Sequence, residues 1–271
     1  MEKIKIYCLC IHNELLSKVK RIGYEPVGLG QNNFDEGWLR DDTFENISNK
    51  NIYYGEYSFH YWIWKNKINI FEKKDWVGFC AYRRFWLNEI NSSNSNLKFK
   101  HKILKEIPKK WNEYDVILAE KISLEQIKLI KIIKYGKLAL LKNPKSLFSR
   151  GRNIKFHFDM FHGNGVLDKA IEVLNKNDRD DFRYYVNNNN SFHQANMFIC
   201  KSPNLLMRYY DTVFEWLFNC EKIFGFDLKG YGQIRLYAFL AERFLPFWFK
   251  KYSKCLDWPI VFNDLRKEKF Q

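Results

Sequence analysis

No uncharged run in this chain approaches the ~18 to 20 apolar residues needed to cross a bilayer, so no membrane-spanning helix is expected. The start, Met1-Glu2-Lys3-Ile4-Lys5-Ile6, enters a strand at once and lacks the apolar core of a secretory leader. Cysteine is sparse, at positions 8, 10, 80, 200, 220 and 255, with no CxxC pair and no Cys/His set at zinc-ligand spacing. The six thiols read as small buried hydrophobes of a reducing compartment, and the expected location is cytoplasmic. Internal repeats are absent, which excludes a solenoid. No recognised nucleic-acid motif is present. The one literal Asp-x-Asp is Asp178-Arg179-Asp180, a weak candidate for a divalent-cation site because an Arg separates its carboxylates.

What is present is apolar and basic. Hydrophobic residues make up 46% of the 271 residues and aromatics 18%, enough for a large core and far from a disordered composition. The length fits a single domain over 1–271, with a basic and mobile insertion at 121–155 and a helical C-terminal part at 205–271. Lys and Arg number 45 against 31 Asp and Glu, a formal charge of +14. Such a field attracts phosphates, nucleic acid or an anionic membrane without choosing among them.

Ile4 to Ile11 is a β-rich apolar run that delivers His12 and Asn13 at its C-terminal edge, where open α/β sheets bind ligands. Tyr24 to Gly30 predicts a second short extended stretch, and Asp41-Asp42-Thr43 offers N-cap chemistry. The aromatic-dense segment Asn51 to Lys65 predicts one largely buried helix. Strands follow at Asp75 to Tyr82 and Tyr114 to Leu118, joined by an Asn-, Ser- and Lys-rich connection predicted to hold a loop and a basic helix. Gly165 to Leu174 has helical periodicity, and Asp178 to Asn190 reads as a polar loop. Phe192 to Cys200 predicts a strand, Leu205 to Phe224 a long amphipathic helix, and Tyr231 to Phe244 a last helix. The class is α/β, with helical additions.

The strand Trp76 to Cys80 runs into Ala81-Tyr82-Arg83-Arg84, bringing a phenol and two guanidiniums to one place. Arg presents a rigid fork of donors that matches phosphate oxygens in pairs. The plainer reading is that one Arg pairs with a surface carboxylate while the other is solvated.

Several blocks in order resemble the bacterial DUF4422 family of capsular-polysaccharide-type glycosyltransferases. They are Cys10-Ile11-His12-Asn13, Tyr24 through Gly30, Phe44 through Ser48, then Asn51, Glu56 and Tyr61-Trp62-Ile63-Trp64-Lys65-Asn66. Gly78 through Trp86, His162, Asn196 to Cys200, and Arg235 to Phe244 complete the series. Ala81 stands where the family usually has His, Phe44-Glu45 replace Gly-Asp, Val166 replaces a common Asp, and the usual Gly is missing from Leu236 to Phe239.

The resemblance implies a GT-A-like, Rossmann-like mixed sheet flanked by helices, and transfer of a sugar from a nucleotide-sugar donor to a glycan or lipid-linked glycan acceptor. Its implied donor-binding residues are His12, Asn13, Asp42, Asn46, Tyr82, Arg83, Arg84, Asn196, Met197 and Arg243. Glu56, Trp64 and Glu242 are expected to support the site from behind. Two fixed cations at Tyr82-Arg83-Arg84 would carry the electrostatic role often given to a metal, so no cofactor is required, with divalent Mn or Mg as the alternative. Asp159 and His162 are the base candidates; with His157 they also make a conceivable metal set, a surface loop being the commoner explanation. Contact with an anionic inner membrane is assigned to Phe244 to Lys251 and to 121–155. The competing readings are a basic nucleic-acid-binding protein and a non-catalytic membrane-surface scaffold; no nucleic-acid partner is expected.

Overall fold

Alternation along the first strand sets the layers. Ile6, Cys8 and Cys10 point to one face and Tyr7 and Leu9 to the other, and all five are buried, so both faces of this strand must be covered. The computed structural model describes residues 2–68, 75–88 and 99–268. Its strands are β1 (Ile4–Cys10), β2 (Glu25–Gly28), β3 (Leu39–Arg40), β4 (Trp76–Ala81), β5 (Arg84–Trp86), β6 (Val116–Ala119), β7 (Lys121–Ser123), β8 (Ser191–His193), β9 (Phe198–Cys200), β10 (Cys255–Trp258) and β11 (Ile260–Phe262). The main sheet runs β10-β6-β9-β4-β1-β2-β3, with β5 added to β4 and β11 to β5. Neighbours β1, β2, β3 and β4 are parallel, as are β6 and β10, whereas β9 lies antiparallel to both β4 and β6. The result is a mixed, mainly parallel α/β sheet flanked by helices. β7 and β8 form a separate two-stranded ribbon.

The helices are α1 (Leu16–Ile22), α2 (Asn51–Tyr54), α3 (Tyr57–Asn66), α4 (Phe99–Lys102), α5 (Leu129–Tyr135), α6 (Lys137–Lys142), α7 (Ile154–His162), α8 (Val166–Glu172), α9 (Lys176–Asn188), α10 (Pro203–Phe224), α11 (Tyr231–Ile234) and α12 (Leu236–Tyr252). One core cluster packs α3, α10 and α12 against Tyr7, Leu9, Val77 and Phe79. The other gathers Ile6, Cys8, Cys10, Trp76, Cys80, Trp86, Trp111 and Trp258 on the opposite face. Tyr57 through Ile63 are buried all round α3, the signature of a helix enclosed by its neighbours.

Five expectations are corrected. Asn51 to Lys65 is two helices, because Gly55 adopts φ 55°, ψ −132°, outside the helical region. Asp41 caps no helix: it follows β3, is fully buried, and accepts from the Gly30 N–H at 2.7 Å and the Ser58 hydroxyl at 2.5 Å. Asp178 to Asn190 is mostly α9 rather than a loop. Asn175 caps its start, and Asp178, Phe182 and Val186 recur every four residues on its buried side. Phe192 to Cys200 is two strands separated by Ala195 and Asn196 at positive φ. Phe244, Leu245, Phe247, Trp248 and Phe249 are core residues of α12, so that segment has no apolar face to offer a membrane. Part of the connection predicted after residue 88 lies outside the described residues; α4 follows it.

Candidate functional site

The C-terminal ends of β1 and β4 lie side by side, and the chain leaves them in opposite directions across the sheet, the usual place for a ligand crevice in an α/β fold. β9 is antiparallel, so its N-terminal end reaches the same edge. A cleft of about 230 Å³ opens there. Its floor is Leu9, Ile11 and Leu29; one wall is Ala81, Tyr82, Arg83 and Arg84; the other walls are Glu56, Gln194 to Asn196, and Tyr231, Arg235, Phe239 and Glu242. An apolar annexe formed by Ile52, Ile234 and Gly55 adjoins it and shares Ile11, Leu29, Tyr231 and Arg235.

Tyr82 and Arg83 are the two loop residues of the β4–β5 hairpin, closed by the Ala81–Arg84 pair. Tyr82 is buried, while Arg83 and Arg84 are half-buried. Among the described residues neither guanidinium makes an ion pair. Arg83 lies 5.1 Å from the Tyr82 ring and Arg84 6.0 Å from the Phe262 ring. Arg83 does act on a carboxylate at longer range: after Arg266, its charge helps to lower the pKa of Asp264. Two guanidinium forks side by side on a cleft wall have the chemistry to pair with an anion's oxygens.

The opposite wall is built under strain. Ala195 and Asn196 have φ of 73° and 50°, a left-handed conformation that costs non-glycine residues free energy. Glu242 holds the first, accepting the Ala195 N–H at 2.6 Å. The Asn196 amide makes long bonds to the Ala238 carbonyl, 3.3 Å, and to Glu56, 3.4 Å. Its Oδ1 is buried with no partner among the described residues, and the residue lines the cleft. A buried acceptor left open at a pocket wall is free to take a hydrogen bond from a water or from a ligand donor.

Arg235 donates to Glu56 Oε2 at 3.0 Å. Gly55 makes this possible, since a Cβ there would sit 2.3 Å from Arg235 Nη2. Beneath the wall, Arg243 is buried, paired with Glu242 and stacked 3.9 Å over the Phe192 ring. It reaches the cleft only through Glu242, not through the β4–β5 strand.

The remaining sequence candidates scatter. His12 sets its ring edge against Tyr82, centroids 5.1 Å apart, just outside the lining. Asn13 is engaged with the Asp35 carboxylate and backbone, and Asp42 is paired with Arg40. Asn46 closes a local turn on Phe44 and Ser48. Trp64 donates to Asp211, and Met197 is buried in the cluster on the far face of the sheet. Asp159 accepts from Lys155 at 2.5 Å and from the Gly165 N–H at 3.1 Å. His162 donates from Nδ1 to the Gly232 carbonyl at 2.8 Å and stacks behind Phe239 at 3.9 Å; burial, then Arg243, holds its pKa down to about 3. Burial and Arg243 likewise keep His157 neutral. Asp178 is held by Lys251 and Tyr252 on α9, away from the cleft lining.

Arg235, Phe239, Tyr231 and Gln194 went unassigned in the sequence. The spacing of Arg235, Phe239 and Glu242, four and then three residues, was the available signal: it sets Phe239 and Glu242 on one face of α12, with Arg235 at the cap that precedes it.

Residues 5–253 match the family described as "Domain of unknown function (DUF4422)". No curated protein matches the chain. Among solved structures, that of WbbM, described as a bifunctional glycosyltransferase in its apo form, is similar at TM-score 0.66 and 19% identity over 96% of this chain. This chain spans 45% of that one, and at such identity the likeness establishes a shared fold.

Proposed function

The chain belongs to the DUF4422 family, and on that footing we propose that it is a GT-A-like glycosyltransferase, moving a sugar from a nucleoside-diphosphate donor to a glycan acceptor during capsular or surface polysaccharide synthesis. The observation that carries the reading is the pair Arg83–Arg84: two guanidiniums without an ion-pair partner among the described residues, facing a cleft at the ligand-binding edge of a mainly parallel sheet. The fold shared with a glycosyltransferase supports it.

Glycosyl transfer breaks the bond between the anomeric carbon and the diphosphate oxygen and leaves negative charge on the departing group. Arg83 and Arg84 meet that charge bidentately, with Tyr82 as a further donor. Asn196, through its open Oδ1, accepts from a sugar hydroxyl, and the floor of Leu9, Ile11 and Leu29 excludes water beneath the ring. For an acceptor proton, Glu56 is better placed than Asp159 or His162, because it lines the cleft. The charge is assigned to the guanidiniums; divalent Mn or Mg remains the alternative.

The test is a thermal-shift screen of nucleoside diphosphates and nucleotide sugars, each with EDTA and with added Mn²⁺. A ligand at one hundred times its Kd adds about 2.7 kcal/mol, a readily measured rise in Tm. Arg83→Ala and Arg84→Ala should each abolish the shift while leaving the unliganded stability within about 1 kcal/mol of the parent, since neither side chain is fully buried. No shift with any ligand in the parent protein sinks the reading, and unfolding of the variants shows a structural role instead.

A further inference from the structure

Between Gln126 and Arg150 the chain has six lysines, at 128, 131, 134, 137, 142 and 145, and no acidic residue. This stretch folds as α5, α6 and a turn of 3-10 helix that packs Ile132 and Ala139 against Phe156 and Met160 of α7. The inward side is thereby satisfied. The outward side is not: Ile130 is 77% exposed, Leu138 68%, Leu141 80% and Phe148 75%, with Leu129 and Ile133 also open. All six lysines are exposed beside them.

A solvated surface helix would bear polar residues at these positions, and isolated exposed leucines would need no comment. A cluster of bulky apolar side chains ringed by cations has a different requirement: something apolar beneath and anionic at the rim. We propose that the α5–α6 segment docks on an anionic lipid bilayer, the apolar side chains entering the headgroup boundary and the lysines meeting lipid phosphates. The charge argues against the other occupants. A second copy would bring six more lysines face to face, and a nucleic acid would leave Leu138, Leu141 and Phe148 with nothing to cover them.

The segment is held in shape for this. Arg152 is buried, and its guanidinium donates to the carbonyls of Glu125 and Ile127 at one end and Ser146 and Leu147 at the other, at 2.7 to 3.2 Å. α7 also links the surface to the cleft. On one side it packs against α5 and α6; on the other, His162 bonds Gly232 and stacks on the cleft-lining Phe239. Docking would hold the cleft near the membrane plane, where a lipid-linked acceptor resides. The surface stands on its own observations, and vesicle binding is measured without donor or turnover.

The experiment is co-sedimentation of the full chain with phosphatidylcholine vesicles, pure or carrying about one third phosphatidylglycerol. Binding to the anionic vesicles alone is expected. Leu138→Ser/Leu141→Ser/Phe148→Ser and Lys131→Gln/Lys134→Gln/Lys137→Gln should each lower partitioning by at least about tenfold with an unchanged circular-dichroism melt, whereas Tyr184→Ser, exposed on α9, should not. Indifference of the parent to anionic vesicles would overturn the proposal. So would binding that survives the apolar triple variant, or a dimer in solution that this variant dissolves while vesicle binding is absent.

Discussion

Asp41 is a fully buried carboxyl one step behind the cleft floor, and burial outweighs its bonds from Ser58 and Gly30 to raise its pKa to about 6. Between the ordinary carboxylate value and 6 the folded state holds a proton that the unfolded state has released. Its contribution to stability is therefore greatest at low pH and is lost as pH rises through 6, by roughly 3 kcal/mol at most. His157 and His162, kept neutral by burial, act in the opposite sense, losing stability as pH falls below their unfolded value. Asp41→Asn isolates the first effect: denaturant melts from pH 4 to 7 should show the parent losing stability relative to the variant as pH rises. A constant difference would remove Asp41 from the account. Ala195 gives a second residue-scale test. Glycine adopts φ 73° without strain, so Ala195→Gly should raise stability by about 0.5–1 kcal/mol in a urea melt. A loss would mean that the Ala195 methyl group contributes more than the backbone strain costs.

Elements whose partners lie on both sides were readable from pattern alone: β1, β4 and α10 have apolar runs or stripes whose period matches what they became. α9 was not, because Phe182 and Val186 are its only fully buried apolar residues; its helix is decided by packing against α7, α8 and α12. The break between β8 and β9 was equally silent. Positive φ is usually announced by glycine, and here it falls on Ala and Asn, held by Glu242 from a helix more than forty residues later. The α5–α6 segment depends on one side chain in the same way. Arg152→Ala removes four bonds to carbonyls, so hydrogen exchange across 125–148 should accelerate by at least about tenfold while β1 and β4 keep their protection. Unchanged exchange would show that the contacts with α7 suffice.

At the scale of the whole molecule, half of the site was legible and half was not, for one reason. Tyr82-Arg83-Arg84 and Asn196 were singled out by residue type and family blocks, and the sheet does bring them to one cleft; Glu56 and Glu242, expected behind the site, line the cleft itself. His12 comes close, whereas Asn13, Asp42, Asn46 and Trp64 spend their polar groups on local partners that no motif discloses. Asp159 and His162 share a helix but miss the cleft: Asp159 is taken up by Lys155 and the Gly165 N–H, and His162 stacks on the back of Phe239. Residue type names what a side chain can do; which edge of the sheet it reaches depends on pairings between distant strands. The charge balance behaves alike: six of the lysines behind the +14 are gathered between residues 128 and 145, which the total could not reveal.

The reversed strand β9 carries a kinetic consequence. Its pairing with β4, Val77 to Cys200 and Gly78 to Ile199, closes more than a hundred residues of intervening chain, and only then do Ala195 and Asn196 stand opposite Arg83 and Arg84. Local helices such as α10 need no such closure. In refolding from urea, far-ultraviolet circular dichroism should recover ahead of the nucleoside-diphosphate binding proposed for the cleft, which should appear with the slowest phase. Simultaneous recovery would mean that the two walls of the cleft are already joined in the earliest ordered state.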